Sequence, residues 1–230
     1  MSQQPAIYGI DIETDTSRNG LDPAVASVLT IALSGRAFDE VFIGDEATLL
    51  HALDARLASL APGIVATWNG ATFDLPFIAD RARLLGVDLS LRLCLDRRLT
   101  MDRTTLPGHG GAYRGAWGHH AHLDTFRLYG PPTAPSPWTS LRTIGRMVGL
   151  GGQGGPADRT HDLANEALHA HAASDARLAR VLAERRSAAA LRLVDRLGDH
   201  EAQPVAVAVQ RLERTARPDA RPLRPAVAGV

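Results

Sequence analysis

Ala6-Ile7-Tyr8-Gly9-Ile10-Asp11-Ile12-Glu13 is rich in β-formers and turns acidic at its end. That composition predicts a buried strand whose carboxyl end meets solvent. The two-residue period of a strand puts Asp11 and Glu13 on one face, together with Ile7 and Gly9. Carboxylates held side by side repel, and both stay ionised only if a cation sits between them. Ligand sites of α/β sheets open at the carboxyl ends of strands, so a divalent metal between these acids is an economical reading. A strand end with two solvated acids is the competing one, and Asp-x-Glu alone does not choose.

Working outward, a turn cluster runs from Asp15 to Pro23, and Val25–Ser34 and Glu40–Ile43 read as two more strands, giving a three-stranded antiparallel meander. Leu49, Leu50, Leu53, Leu57 and Leu60 recur at helical spacing, with Asp45 as N-cap and Ala61-Pro62-Gly63 as the stop. Ile64–Trp68 follows as a strand, so a parallel crossover onto the first strand is expected. The next helix spans Asp74–Leu85. Leu91–Leu95 reads as a strand or a connector, residues 100–120 as mostly loop, and Ala121–Leu128 as a weak strand or short helix. A Pro-rich loop at 130–137 precedes a helix over Thr139–Val148, with Leu141, Ile144 and Val148 inward. Asp162–Leu197 is helical, as one helix or two broken near Ser187. A single domain is expected over residues 1–200, and the Arg/Pro-rich residues 201–230 as a disordered tail.

Composition excludes several functions. All 25 basic residues are arginine. Without lysine there is no Walker-type phosphate loop at Gly151-Gly152-Gln153-Gly154-Gly155-Pro156 and no Schiff-base chemistry. A net charge of zero leaves no general polycation for nucleic acid, so such contacts must be local. The lone Cys94 excludes an intramolecular disulfide framework and a cysteine-built zinc cage, and reads as a core thiol. No apolar run reaches the roughly 18 to 20 residues of a membrane span. Met1-Ser2-Gln3-Gln4-Pro5 lacks the features of a signal peptide, so a cytoplasmic protein with no membrane partner is expected.

Two further acids stand out. Asp74 lies within Trp68-Asn69-Gly70-Ala71-Thr72-Phe73-Asp74-Leu75-Pro76, where a capping role is a good account of an Asp-x-Pro at a helix start. That account leaves Asn69 and Phe73 unexplained, an amide and a ring in a turn that could face a nucleotide. Asp175 shares a helical stripe with Leu168, His171, Leu178 and Leu182, which puts a carboxylate on a core-facing side. An unpaired buried carboxylate is costly, so Asp175 must be neutralised, hydrogen-bonded, paired or bound to metal. A His171–Asp175 pair closing the edge of the core is the plainer alternative.

Taken in order, these residues resemble the DEDD superfamily of 3′-to-5′ exonucleases. Asp11-Ile12-Glu13-Thr14 is similar to its first motif. Asn69-x3-Phe73-Asp74-x-Pro76 resembles the second in the form found in exonuclease domains of family B DNA polymerases. His122-Leu123-Asp124 and Ser140-Leu141-x2-Ile144 look like the segment before that group's third motif. The third motif departs from the pattern: the superfamily has Tyr-x3-Asp or His-x4-Asp, and here His171-Ala172-Ala173-Ser174-Asp175 puts histidine at tyrosine's spacing. Ala170 holds the other position, and a shift of one residue turns a helical side chain by about 100°.

The resemblance implies an RNase H-like α/β fold, a mixed central sheet flanked by helices, and two divalent ions, Mg²⁺ or Mn²⁺, about 3.5 to 4 Å apart. It implies that Asp11 bridges both ions, that Glu13 and Asp175 complete one site and that Asp74 holds the other. His171 would orient or deprotonate the attacking water, with an ordinary pKa near about 6.5. Substrate contacts are expected from Phe73, Trp68, Asn69 and Thr14, with core packing as the competing role of Trp68 and turn-closing as that of Asn69 and Thr14. The implied substrate is a single-stranded nucleic-acid 3′ end, DNA first and RNA as the alternative, with no protein partner legible. Two other classes compete: a zinc site built from His109, His119, His120 and His122, and a non-catalytic nucleic-acid-binding module that kept the fold. Retention of all four acids opposes the second, because a surface for a polyanion does better without them.

Overall fold

The computed structural model describes residues 5–17, 19–96, 106–129, 140–150, 165–194 and 203–204. The Gly-rich connector at 151–156 and residues 205–230 of the expected tail lie outside them. The opening stretch is β1 (Ala6–Thr14), which pairs antiparallel with β2 (Val28–Gly35), itself paired antiparallel with β3 (Phe38–Phe42). The expected meander is therefore present. Asp45 caps α1 (Glu46–Ser59) by accepting the Thr48 backbone N–H, 3.1 Å away. β4 (Gly63–Thr67) then returns parallel to β1, the expected crossover. α2 (Asp74–Leu85) stops at Gly86, whose φ of 68° is a left-handed conformation suited to glycine.

Beyond α2 the structure corrects the reading. β5 (Leu91–Leu95) is a strand, and Tyr113–Trp117, within the segment read as mostly loop, is strand β6. Tyr113, Gly115 and Trp117 face inward, but Leu75 Cδ1 lies 2.7 Å from where a Gly115 Cβ would stand, so the middle inward position carries no apolar side chain to reveal the period. The ambiguous 121–128 segment resolves into β7 (His120–Asp124), parallel to β4, and one turn of helix, α3 (Phe126–Tyr129). Cys94 points away from the inward Leu91 and Leu93 and is only half buried. α4 (Leu141–Met147) starts at its cap Ser140, and the long helical pattern is α5 (Asn165–Arg185) and α6 (Ser187–Leu193), broken where expected. Gln203–Pro204 form β8 on the edge of β5, inside the stretch assigned to the tail. Among the described residues no helix is long and apolar enough to cross a membrane.

The mixed sheet has the order β3-β2-β1-β4-β7-β6-β5-β8 and helices on both faces. The alternation of β1 divides the molecule. Tyr8, Ile10 and Ile12 join Ile31, Leu33, Leu49, Leu53, Phe77 and Ile78 in the larger core under α1 and α2. Ile7, Gly9, Asp11 and Glu13 face the other side, where Ala172 and Ala176 of α5 pack on Ala32 of β2. Gly9 decides how close α5 comes: a Cβ built there would lie 1.9 Å from the Ala176 carbonyl oxygen.

Because that carbonyl is backbone, a methyl group can be accommodated only if helix and sheet separate. Gly9→Ala is expected to lower stability by about 3 kcal/mol, read as a reduced midpoint in urea denaturation. An unchanged midpoint would show that the α5–β1 contact is not close packed.

Candidate active site

The acids come together where β1 ends. Glu13 reaches this edge at the last regular step of the β1–β2 ladder, just before a bulge at Thr14. Asp175 and His171 are one turn apart on α5. The His171 Nε2 lies 3.4 Å from Glu13 Oε1 and 3.7 Å from Asp175 Oδ2. Asp74 is the first residue of α2, buried beneath the turn that leaves β4.

That turn is held by a residue outside the expected site. Asp124, at the end of β7, accepts the backbone N–H of Asn69 at 2.8 Å, of Ala71 at 3.2 Å and of Phe126 at 3.0 Å. Asn69 itself takes a positive φ of 65°, a conformation that asparagine tolerates better than most residues. Its Oδ1 accepts the Thr72 hydroxyl at 2.9 Å, so the amide faces into the turn. Thr14 likewise donates to the Gly20 carbonyl at 2.8 Å. Trp68 is half buried, meets Phe126 edge-on at 5.5 Å and packs against the cluster of Leu141, Ile144, Leu178 and Leu182. Phe73 is half buried beside Phe77 at the start of α2.

Electrostatics binds the four acids into one unit. Burial, then the charges of Asp175, Glu13 and Asp74, hold Asp11 well above the usual carboxylate range. Burial and then Asp175 push Glu13 up to about 8, against the pull of the Arg142 guanidinium. Asp74 is raised to about 7, by burial first and by Asp124 second, with backbone N–H groups opposing. Burial also raises Asp175, opposed by Arg142 and His171, and it lowers His171.

Arg142, on the first turn of α4, is the residue that the sequence reading passed over. Its Nη2 lies 3.2 Å from Asp175 Oδ1, its Nε 3.5 Å from Oδ2, and Nη2 stands 2.9 Å from Nε2 and 2.5 Å from Nδ1 of His171. A guanidinium has no lone pair to offer, so the imidazole beside it is neutral and accepting. Among the described residues no group of three or more His, Cys, Asp or Glu side chains stands ready to coordinate an ion. The donor chemistry nevertheless suits a hard cation: oxygens alone, mutually repelling, with Asp175 Oδ1 buried and without a hydrogen-bond partner.

The histidines that suggested zinc are dispersed among separate partners. His109 bridges Tyr113 and Asp80 at 2.8 and 2.9 Å, and His122 meets the Thr67 hydroxyl at 2.8 Å. His119 and His120 each lie within 2.9 Å of a carbonyl at the end of α1, those of Leu60 and Leu57.

Residues 6–130 match the sequence profile of the exonuclease domain of DNA polymerase family B. The chain belongs to that family. The match ends before α4 and α5, so Arg142, His171 and Asp175 stand on their geometry alone. A solved structure, that of the family B DNA polymerase from the hyperthermophilic archaeon Pyrobaculum calidifontis, is similar over 80% of this chain with a TM-score of 0.60 and 19% identity. At that identity the likeness concerns fold, and it bears out the RNase H-like architecture. The chain spans 24% of that polymerase's length. No curated protein matches the chain in a sequence comparison. Membership of an exonuclease-domain family supports a nuclease function.

The raised carboxyls have a consequence for the metal-free exonuclease domain. In the folded state Glu13 and Asp74 keep their protons to about pH 8 and 7, whereas the unfolded chain loses them near 4.5 and 3.8. Between these limits the folded state binds more protons, so this stability is full below about pH 4 and is lost as pH rises through 8. With EDTA present, the melting temperature of Glu13→Gln is expected to gain on that of the wild type from pH 5 to 9. A constant difference would mean that Glu13 titrates normally.

Proposed function

We propose that this exonuclease domain is a metal-dependent 3′-to-5′ exonuclease that releases nucleoside monophosphates from the 3′ ends of single-stranded DNA. The observation that supports this best is the convergence of four buried acids from three separate elements, with Asp74 and Asp175 both acting on the charges of Asp11 and Glu13, beside a neutral histidine. Buried acids crowded together are unfavourable for folding and useful only toward a cation.

Asp11, Glu13, Asp74 and Asp175 would hold two Mg²⁺ or Mn²⁺ ions. Bound there, such ions supply Lewis-acid neutralisation of the phosphate's charge in an in-line displacement. The chain's own groups do the rest. His171, held neutral by burial, can take a proton from the attacking water at a ring nitrogen, as a neutral imidazole is able to do. Phe73, half exposed at the mouth of α2, offers a ring for the terminal base. Thr14, Asn69 and Trp68 are engaged within the fold, which favours their role in shaping this mouth.

The test is digestion of 5′-labelled single-stranded DNA and RNA with Mg²⁺, Mn²⁺ or EDTA, using wild type, Asp11→Ala and His171→Ala. The expected result is a metal-dependent ladder from the 3′ end of DNA, abolished in Asp11→Ala and slowed by about 100- to 10,000-fold in His171→Ala. A ladder from RNA alone would reassign the substrate. Binding without cleavage under either metal would make the chain a nucleic-acid-binding module.

A further inference from the structure

The cation that stands among these acids is a side chain. Arg142 reaches from α4 to α5, with its side chain 19% exposed, and touches Asp175 and His171 together, while its charge opposes the rise in Asp11 and Glu13. Its contact with Asp175 Oδ1 is close in distance but makes no hydrogen bond, leaving that oxygen's lone pairs unused. The guanidinium fork faces both carboxylate oxygens only loosely, at 3.2 Å from Nη2 and 3.5 Å from Nε, beyond the roughly 2.7 to 2.9 Å of a strong charge-assisted pair. Its Nη2 lies nearer the imidazole, 2.5 Å from Nδ1 and 2.9 Å from Nε2 of His171.

We propose that Arg142 is a displaceable internal counter-cation, a latch that neutralises the acid cluster until a divalent ion enters and expels it. The inference rests on the metal-dependent reading above. A guanidinium does not lose its proton in proteins, so it cannot make room by titrating and must move. Two cations at one carboxylate compete, and the competition is reciprocal: whatever the guanidinium gains from Asp175 is subtracted from metal affinity. Displacement has a second effect. It clears Nη2 from His171 and frees a ring nitrogen for water, so metal entry and exposure of the base occur together.

The test is Mn²⁺ titration of the full chain at pH 7.5, followed by water-proton relaxation, for wild type, Arg142→Gln and Arg142→Lys. Arg142→Gln is expected to bind Mn²⁺ about tenfold more tightly than wild type, with Arg142→Lys between them. In EDTA the Arg142→Gln melting temperature should fall below that of wild type, and saturating Mn²⁺ should restore it. A purely structural arginine would lower both melting temperatures alike and leave affinity unchanged or weaker. Equal or weaker Mn²⁺ binding by Arg142→Gln therefore overturns the latch alone. No Mn²⁺ binding by any of the three proteins overturns the metal-dependent reading and the latch with it.

Discussion

Everything at the site depends on how closely α5 lies against β1. Gly9 removes the one Cβ that would hold the helix off, and Ala32, Ala172 and Ala176 keep the surrounding contact shallow. With the helix at this depth, His171 comes within 3.4 Å of Glu13, and Asp175, one turn on, adds its charge to that of Glu13. A helix packed over larger side chains would sit farther out, and the acids of β1 would face a water-filled gap. The small residues thus convert two separate acidic motifs into one field. Their own contribution to burial is slight, and their effect is on distance.

Within that field, burial and repulsion act in the same direction. Desolvation is the largest influence on Asp11, Glu13, Asp74 and Asp175 alike; neighbouring carboxylates add to it at Asp11, Glu13 and Asp74, while Arg142 and His171 oppose it at Asp175. The resting domain answers in two ways, by holding protons and by presenting a guanidinium. Both lower the charge without using the oxygen lone pairs fully. Histidine at tyrosine's spacing fits this setting, because burial keeps the ring neutral where a phenol would be pushed farther from useful basicity.

Much of this was legible in the residue order. Leu49, Leu50, Leu53 and Leu57 disclosed α1 because a single buried face at helical spacing determines them. Asp11, Glu13, Asp74 and Asp175 disclosed themselves as acids placed where elements turn inward. β6 stayed hidden because the glycine at its central inward position, against Leu75, leaves no apolar side chain there to mark the alternation. Arg142 stayed hidden for a different reason: on a short helix an arginine reads as a solvated residue, and its meeting with Asp175 depends on packing between α4 and α5. Asp124 was seen only as part of a resemblance, since its three amide partners lie in a turn more than fifty positions away or just beside it.

The hold of Asp124 on that turn has a consequence for motion. β7 lies beside β4 near the middle of the sheet, so a carboxylate fixed to it ties the 68–73 turn to the most constrained part of the backbone. A segment that by length and composition should behave as a surface loop becomes an extension of the sheet. Phe73 and Asp74 then share one frame anchored to the sheet, whose conformational entropy was surrendered in folding.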